Sequence, residues 1–178
     1  MHRTAIALSL MLAACALSLI AQTPSATATT QVYADLNQLM RGALYPAANV
    51  VFSAQADNPA EIKFVPGHDP SMSTDPLTSA FGGWQAVENA ALALAESTNL
   101  LLIPERKCAN GTPVPTKDPS WSTFVQQVRD ASMKSYKAAL AKDQDKMIEF
   151  SEELNASCAN CHRKWRDRRA PENRCKQV

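Results

Sequence analysis

The sequence predicts an all-α protein that folds as an antiparallel, up-down-up-down four-helix bundle. Only five of its 178 residues are glycine, and 46% are apolar, which is enough for one buried core. Apolar residues recur at three- and four-residue steps in four stretches, and no stretch alternates as a strand would. Four amphipathic helices of this length favour a bundle.

The first two predicted helices span residues 32–56 and 77–102. Pro46 interrupts the first, and we expect a kink there because proline removes a hydrogen bond and clashes with the preceding turn. The second has a regular apolar stripe that should face the core. This stripe comprises Phe81, Trp84, Val87, Ala91, Leu94, Thr98 and Leu101.

The other two predicted helices span residues 119–141 and 145–168. Asp118 can cap the third helix, and Pro119 suits its first turn. The buried side of the third helix should carry Trp121, Phe124, Val125, Val128 and Tyr136. The stripe of the fourth comprises Met147, Phe150, Leu154, Cys158, Cys161 and Trp165.

Residues 1–28 have the pattern of a signal peptide. A short positive start is followed by an apolar run and by a small polar stretch with an A-x-A at Ala26 and Ala28. The alternative is a lipoprotein signal, because LAAC ends at Cys15, which would then carry a lipid anchor. Both predict an exported, periplasmic chain, in a compartment where disulfides persist.

The sequence CANCH at 158–162 is a C-x-x-C-H motif, the attachment signature of c-type haem. Two thiols one helical turn apart can each bond one vinyl group of a porphyrin, and His162 then lies beneath the iron as an axial ligand. The sequence therefore predicts one covalent haem c, attached at Cys158 and Cys161.

Three other interpretations of the motif compete with haem. A zinc site would need Cys108 and Cys175 as further ligands, and the adjacent Cys161 and His162 make an awkward pair. A redox dithiol expects a βαβ context, which is missing. Coincidence is the third, since short matches are common. The sequence shows no Ser/His/Asp set, paired buried carboxylates or phosphate loop, so we do not expect an enzyme.

The motif extends to C-x-x-C-H-x-x-aromatic-Arg near the end of a four-helix chain, and in this the sequence resembles the cytochrome c′ family, the class II cytochromes c. Cys158, Cys161, His162, Trp165 and Arg166 match one by one, although the family more often has Tyr where Trp165 stands. The segment LMRGALYPAANVVF in helix 1 is similar to members with an N-terminal Met–Lys/Arg pair. The resemblance implies a cytochrome c′-like domain over residues 30–178.

The resemblance also implies a role for Met40. Members with methionine on the first helix are six-coordinate and carry electrons, whereas members with an apolar residue there are five-coordinate and bind NO or CO. Met40 stands where the methionine ligand would be, and Leu39 would be the distal residue of an open site. The expected function is periplasmic electron transfer, and the alternative is a gas-binding cytochrome c′. Weaker candidates for the sixth ligand are Met72, Met133, Met147 and His68.

Partners are predicted from charge and from the resemblance. The net charge of +1 gives no argument for nucleic acid. Residues 163–176 contain seven Lys or Arg and two acids. Such a basic segment would suit an acidic redox partner protein. Arg166 is expected near the proximal imidazole or a haem propionate. Class II relatives are often dimers through their first two helices, which implies a homodimer.

The cysteine count leaves one pair. Cys15 belongs to the signal and two cysteines to the haem, so Cys108 and Cys175 remain. In an up-down-up-down bundle the second and fourth helices end at the same pole, which predicts a Cys108–Cys175 disulfide. The alternatives are two free thiols and pairing between molecules.

Overall fold

The computed structural model describes residues 31–62, 67, 69–167 and 169–176. Across these residues the secondary structure is helical, and the one extended pairing in them is an isolated bridge between Lys107 and Pro113. The all-α prediction is confirmed. The expectations for the signal peptide, for Cys15 and for His68 fall outside the described residues.

Helix α1 runs through three consecutive segments, Leu36–Leu39, Met40–Leu44 and Tyr45–Ala56. Asp35 caps it by accepting a hydrogen bond from the backbone N–H of Gln38 at 2.8 Å. The predicted start at residue 32 is therefore wrong by four residues, because the N-cap at Asp35 makes Leu36 the first helical residue.

The middle segment of α1 is a π-helical turn, and it ends two residues before Pro46. The backbone N–H of Tyr45 bonds to the carbonyl of Met40, five residues earlier. Pro46 has no N–H to continue the regular ladder. The disturbance expected at this proline thus takes the form of one widened turn.

Helix α2 is Trp84–Ser97, and the 3₁₀ segment Thr98–Leu102 extends it. The predicted start at residue 77 is wrong, because Gly83 adopts a φ of +60° and the helix begins only after it. Phe81 precedes the helix and is 64% exposed, so its predicted burial is also wrong. The six other predicted stripe residues are buried: Trp84, Val87, Ala91, Leu94, Thr98 and Leu101.

Helix α3 is Pro119–Ala141, with the bounds that the sequence predicts. Asp118 caps it, and Lys142 ends it in a left-handed conformation. Helix α4 is Gln144–His162, and it continues as a π-helical turn, Arg163–Asp167. Of the predicted apolar positions on these two helices, six are buried, and the remaining five are partly exposed. The partly exposed ones are Phe124, Tyr136, Phe150, Cys158 and Cys161.

Each helix packs against the next one along the chain, and α4 also packs against α1. Side-chain hydrogen bonds connect the ends of different helices. Gln144 at the start of α4 donates to the carbonyl of Ala54 at the end of α1, at 2.6 Å. Trp121 at the start of α3 donates to the carbonyl of Leu101 after α2, at 2.9 Å. The core between the helices is closed by fully buried side chains, among them Leu94, Trp121, Val51, Met147 and Leu154.

Within the described part of the chain, none of the helices combines the length and the hydropathy that a bilayer crossing requires.

Candidate functional site

A cavity of about 600 Å³ lies among the four helices. Its volume falls in the range of about 300–1,000 Å³ that small-molecule and cofactor sites occupy. Every helix contributes apolar or aromatic side chains to its walls, including Leu44, Phe52, Leu94, Trp121, Phe124 and Val125. Such walls match the apolar part of a ligand or cofactor.

Helix α4 places all three reactive residues of the CANCH motif on this cavity. Cys158, Cys161 and His162 line it, because residues three and four apart share one face of a helix. All three side chains are partly exposed, and the two thiols are free. The spacing predicted from the sequence therefore directs two thiols and an imidazole into a single space.

Burial sets the protonation states of these groups. It raises the pKa of the Cys158 thiol and, together with the neighbouring Cys158, raises the pKa of Cys161 to about 12. Burial also lowers the pKa of His162, and the guanidinium of Arg166 adds to this. A protonated thiol is a poor nucleophile, because the thiolate is the reactive form. A neutral imidazole is the form that ligates metals.

Met40 lines the same cavity from α1, where it is the first residue of the π-helical turn. Such turns recur at functional sites in helices. Leu39 is instead buried in the core, 7% exposed, and is not a lining residue of the cavity. The three other methionines considered for the sixth position lie elsewhere. Met147 is fully buried in the core, Met72 is 75% exposed, and Met133 lines a groove beside Lys134 and Glu153.

A second cavity, of about 540 Å³, adjoins the first and shares Met40, Cys161 and His162 with it. Trp165 lines this second cavity and packs edge-on against Trp121, with 5.9 Å between the ring centroids. The indole Nε1 of Trp165 is buried without a hydrogen-bond partner among the described residues. A buried, unpaired donor costs stability, so a ligand oxygen would be well matched to it.

The structure joins Cys108 and Cys175 as a disulfide, with 6.5 Å between their Cα atoms. This distance lies within the limit of about 7 Å that bridge geometry sets. Both residues are buried. Paired in this way, they cannot complete a zinc site with the CANCH motif, and the described residues contain no group of three or more metal-ligating side chains.

Three arginines line the larger cavity: Arg41, Arg166 and Arg174. Sequence reasoning singled out Arg166 but missed the other two as site residues. Arg41 directly follows Met40, so the predicted role of Met40 could have indicated that Arg41 also lies at the site. Arg174 precedes Cys175, and the predicted disulfide was the signal that could have placed it.

The residues present fit a covalent haem. Two thiols and a neutral imidazole share one helix face, apolar walls surround them, and a buried indole donor lies beside them. No protein-family model, no curated protein and no solved structure matches this chain. The likeness to the cytochrome c′ family therefore depends on the extended C-x-x-C-H motif and on the helix-1 segment that contains Met40.

Proposed function

We propose that this chain is an electron-transfer cytochrome of the c′ type, with one haem c bound covalently at Cys158 and Cys161. His162 and Met40 would be the two axial ligands. One observation carries this proposal. Met40 near the start of the described chain and the CANCH residues near its end line the same cavity, although they belong to different helices.

The antiparallel, up-down-up-down bundle belongs to the same proposal, and contacts between helix ends support it. Trp121 at the start of α3 packs on Trp165 just beyond α4, and Lys164 donates to the hydroxyl of Ser120 at 2.5 Å. Only two residues separate α3 from α4. Short connections favour antiparallel neighbours, and the start of one helix meets the end of the other only in that arrangement.

Each residue has a separate role in this proposal. Cys158 and Cys161 would anchor the porphyrin, and His162 would bind the iron through its neutral imidazole. Haem iron, once bound, supplies a one-electron couple. Met40 would close the remaining axial position, and a thioether there favours the ferrous state. The apolar walls would make the surroundings of both ligands less polar than water.

The gas-binding cytochrome c′ is the second candidate function. Leu44, Ala48 and Phe52 of α1 line the cavity together with Met40. If Met40 does not ligate, these apolar side chains are available to face an open axial position, where NO or CO would bind. The spectrum of the oxidised protein separates the two functions.

Localisation and partners follow as parts of the proposal. An exported, periplasmic chain, with or without a lipid at Cys15, would meet the machinery that attaches haem to reduced thiols. It would also meet the oxidising conditions in which a disulfide persists. Lys164 and Arg166 are exposed beside the site and would favour an acidic redox partner protein. Tyr45 on α1 is 64% exposed, which leaves this helix accessible to a second copy of the chain.

The test is covalent haem content. The chain is produced together with a c-type maturation system, denatured and extracted with acidified acetone. We expect the haem to stay with the protein and its pyridine complex to show two thioether links. A Cys158→Ala/Cys161→Ala variant should lose the haem, and the matched Cys108→Ser/Cys175→Ser variant should keep it. Complete extraction from the unmodified chain would refute the proposal.

A further inference from the structure

The C-terminal tail is held firmly beside the candidate site. Cys175 is bridged to Cys108, and its backbone N–H donates to the carbonyl of Trp165 at 3.3 Å. The side-chain amide nitrogen of Asn110 lies 3.0 to 3.1 Å from three tail carbonyl oxygens, those of Pro171, Glu172 and Arg174, which share its two N–H groups. A tail fixed in this way can hold a side chain at a defined position.

The side chain that the tail holds there is an arginine. Arg174 lines both cavities, together with Arg41 and Arg166. Among the described residues, these three arginines and one acid, Asp167, line the larger cavity, so the four side chains carry a net of two positive charges. Asp167 already pairs with Arg166, at 2.5 Å. Among the described residues, neither Arg41 nor Arg174 has a carboxylate within ion-pair distance.

We propose that Arg174 binds a carboxylate of the haem, so that the disulfide-tethered tail forms part of the haem site. This inference rests on the proposed function. Haem carries two propionate groups, and the two excess positive charges of the lining match them. A planar guanidinium binds a carboxylate through two parallel hydrogen bonds, which fixes orientation as well as charge.

The indole of Trp165 is a second, unpaired donor close to this space. Trp165 and Arg174 both line the smaller cavity, and Trp165 Nε1 is buried without a partner among the described residues. An oxygen that accepts from this N–H would remove the cost of an unsatisfied buried donor. The tail therefore brings a charge, and the helix end brings a neutral donor, to one place.

A positive charge near the iron opposes its oxidation, because the oxidised haem carries one more positive charge than the reduced haem. Arg174→Gln should therefore lower the midpoint reduction potential of the haem-loaded protein. Lys176→Gln is the matched control, since Lys176 flanks the same bridged cysteine, is exposed, and lines neither cavity. Its potential should equal that of the unmodified protein. Arg174→Lys should recover part of the loss, because it keeps the charge without the planar fork.

Removal of the tether provides an independent measurement. Cys108→Ser/Cys175→Ser should lower the potential in the same direction, and adding Arg174→Gln to it should lower the potential no further. A haem-loaded Arg174→Gln protein whose potential matches that of Lys176→Gln would overturn this inference and leave the proposed function intact. A chain that takes up no covalent haem would overturn both.

Discussion

The side-chain nitrogen of Asn110 lies 3.0 Å from the backbone carbonyl oxygen of Arg174. The same amide nitrogen also lies within hydrogen-bond distance of two earlier carbonyls of the tail, so three acceptors share the two N–H groups of one side chain of the α2–α3 connection. Together with the adjacent disulfide, it makes the tail part of the folded domain.

Asn110→Ala should lower the free energy of unfolding by about 1 kcal/mol, because it removes the hydrogen bonds from the amide to the tail. The cost is modest because Asn110 is exposed, so water can hydrogen-bond the freed carbonyls. Urea unfolding measures this change. Asn89→Ala is the control, because Asn89 is exposed on α2 and has no side-chain hydrogen bond among the described residues; it should cost nothing. Equal stabilities of the two variants would show that the amide does not hold the tail.

Removal of the disulfide should cost more. The bridge joins residues 67 positions apart, and a loop of that size corresponds to roughly 4 kcal/mol in the chain-entropy account. Urea unfolding of Cys108→Ser/Cys175→Ser checks the magnitude. Mass spectrometry of the unreduced protein after alkylation checks the bond itself. Two alkylated thiols at Cys108 and Cys175 would contradict the pairing.

Met40→Leu should open the sixth axial position. Leucine has a similar volume but no sulfur, so the packing is retained and the proposed thioether ligand is lost. We expect the oxidised protein to lose the band near the red end of the visible spectrum, to become high-spin and to bind CO quickly when reduced. Met133→Leu is the control and should keep the spectrum of the unmodified protein. An unchanged spectrum in Met40→Leu would favour the gas-binding alternative.

The sequence predicts best what depends on neighbouring residues. The bounds of α3 follow from a cap at Asp118 and a polar joint after Ala141, and both signals are local. The shared face of Cys158, Cys161 and His162 follows from helical spacing alone. These parts of the fold and of the site need no knowledge of the rest of the chain.

What the sequence does not predict depends on backbone conformations that leave no periodic signal and on distant contacts. Periodicity runs through Phe81, but the turn at Gly83 starts α2 later, because the loop before it folds back on itself. The π-helical turn at Met40 leaves no mark in the apolar pattern. Arg174 reaches the cavity because a disulfide and the Asn110 amide hold the tail against a loop far away in the chain.

The loop before α2 also makes glycine necessary at one position. A Cβ on Gly82 would overlap the backbone carbonyl oxygen of Leu77 and would lie 2.8 Å from that of Ser79. Backbone atoms cannot rotate away as a side chain can. The Leu77 carbonyl also accepts the N–H of Gly83 at 2.8 Å, so moving it disturbs the turn that begins α2.

Gly82→Ala should therefore lower the free energy of unfolding by about 1–3 kcal/mol, the usual cost of an overpacked site. Gly42→Ala provides the comparison, because a Cβ there meets no atom within 4 Å. Gly42 lies inside α1 with a negative φ, so alanine should raise the free energy of unfolding by about 0.4–1 kcal/mol through reduced entropy of the unfolded chain. Chemical unfolding of both variants at one temperature measures the opposite signs. A Gly82→Ala protein as stable as the unmodified chain would show that the Leu77–Gly83 turn is not packed as described.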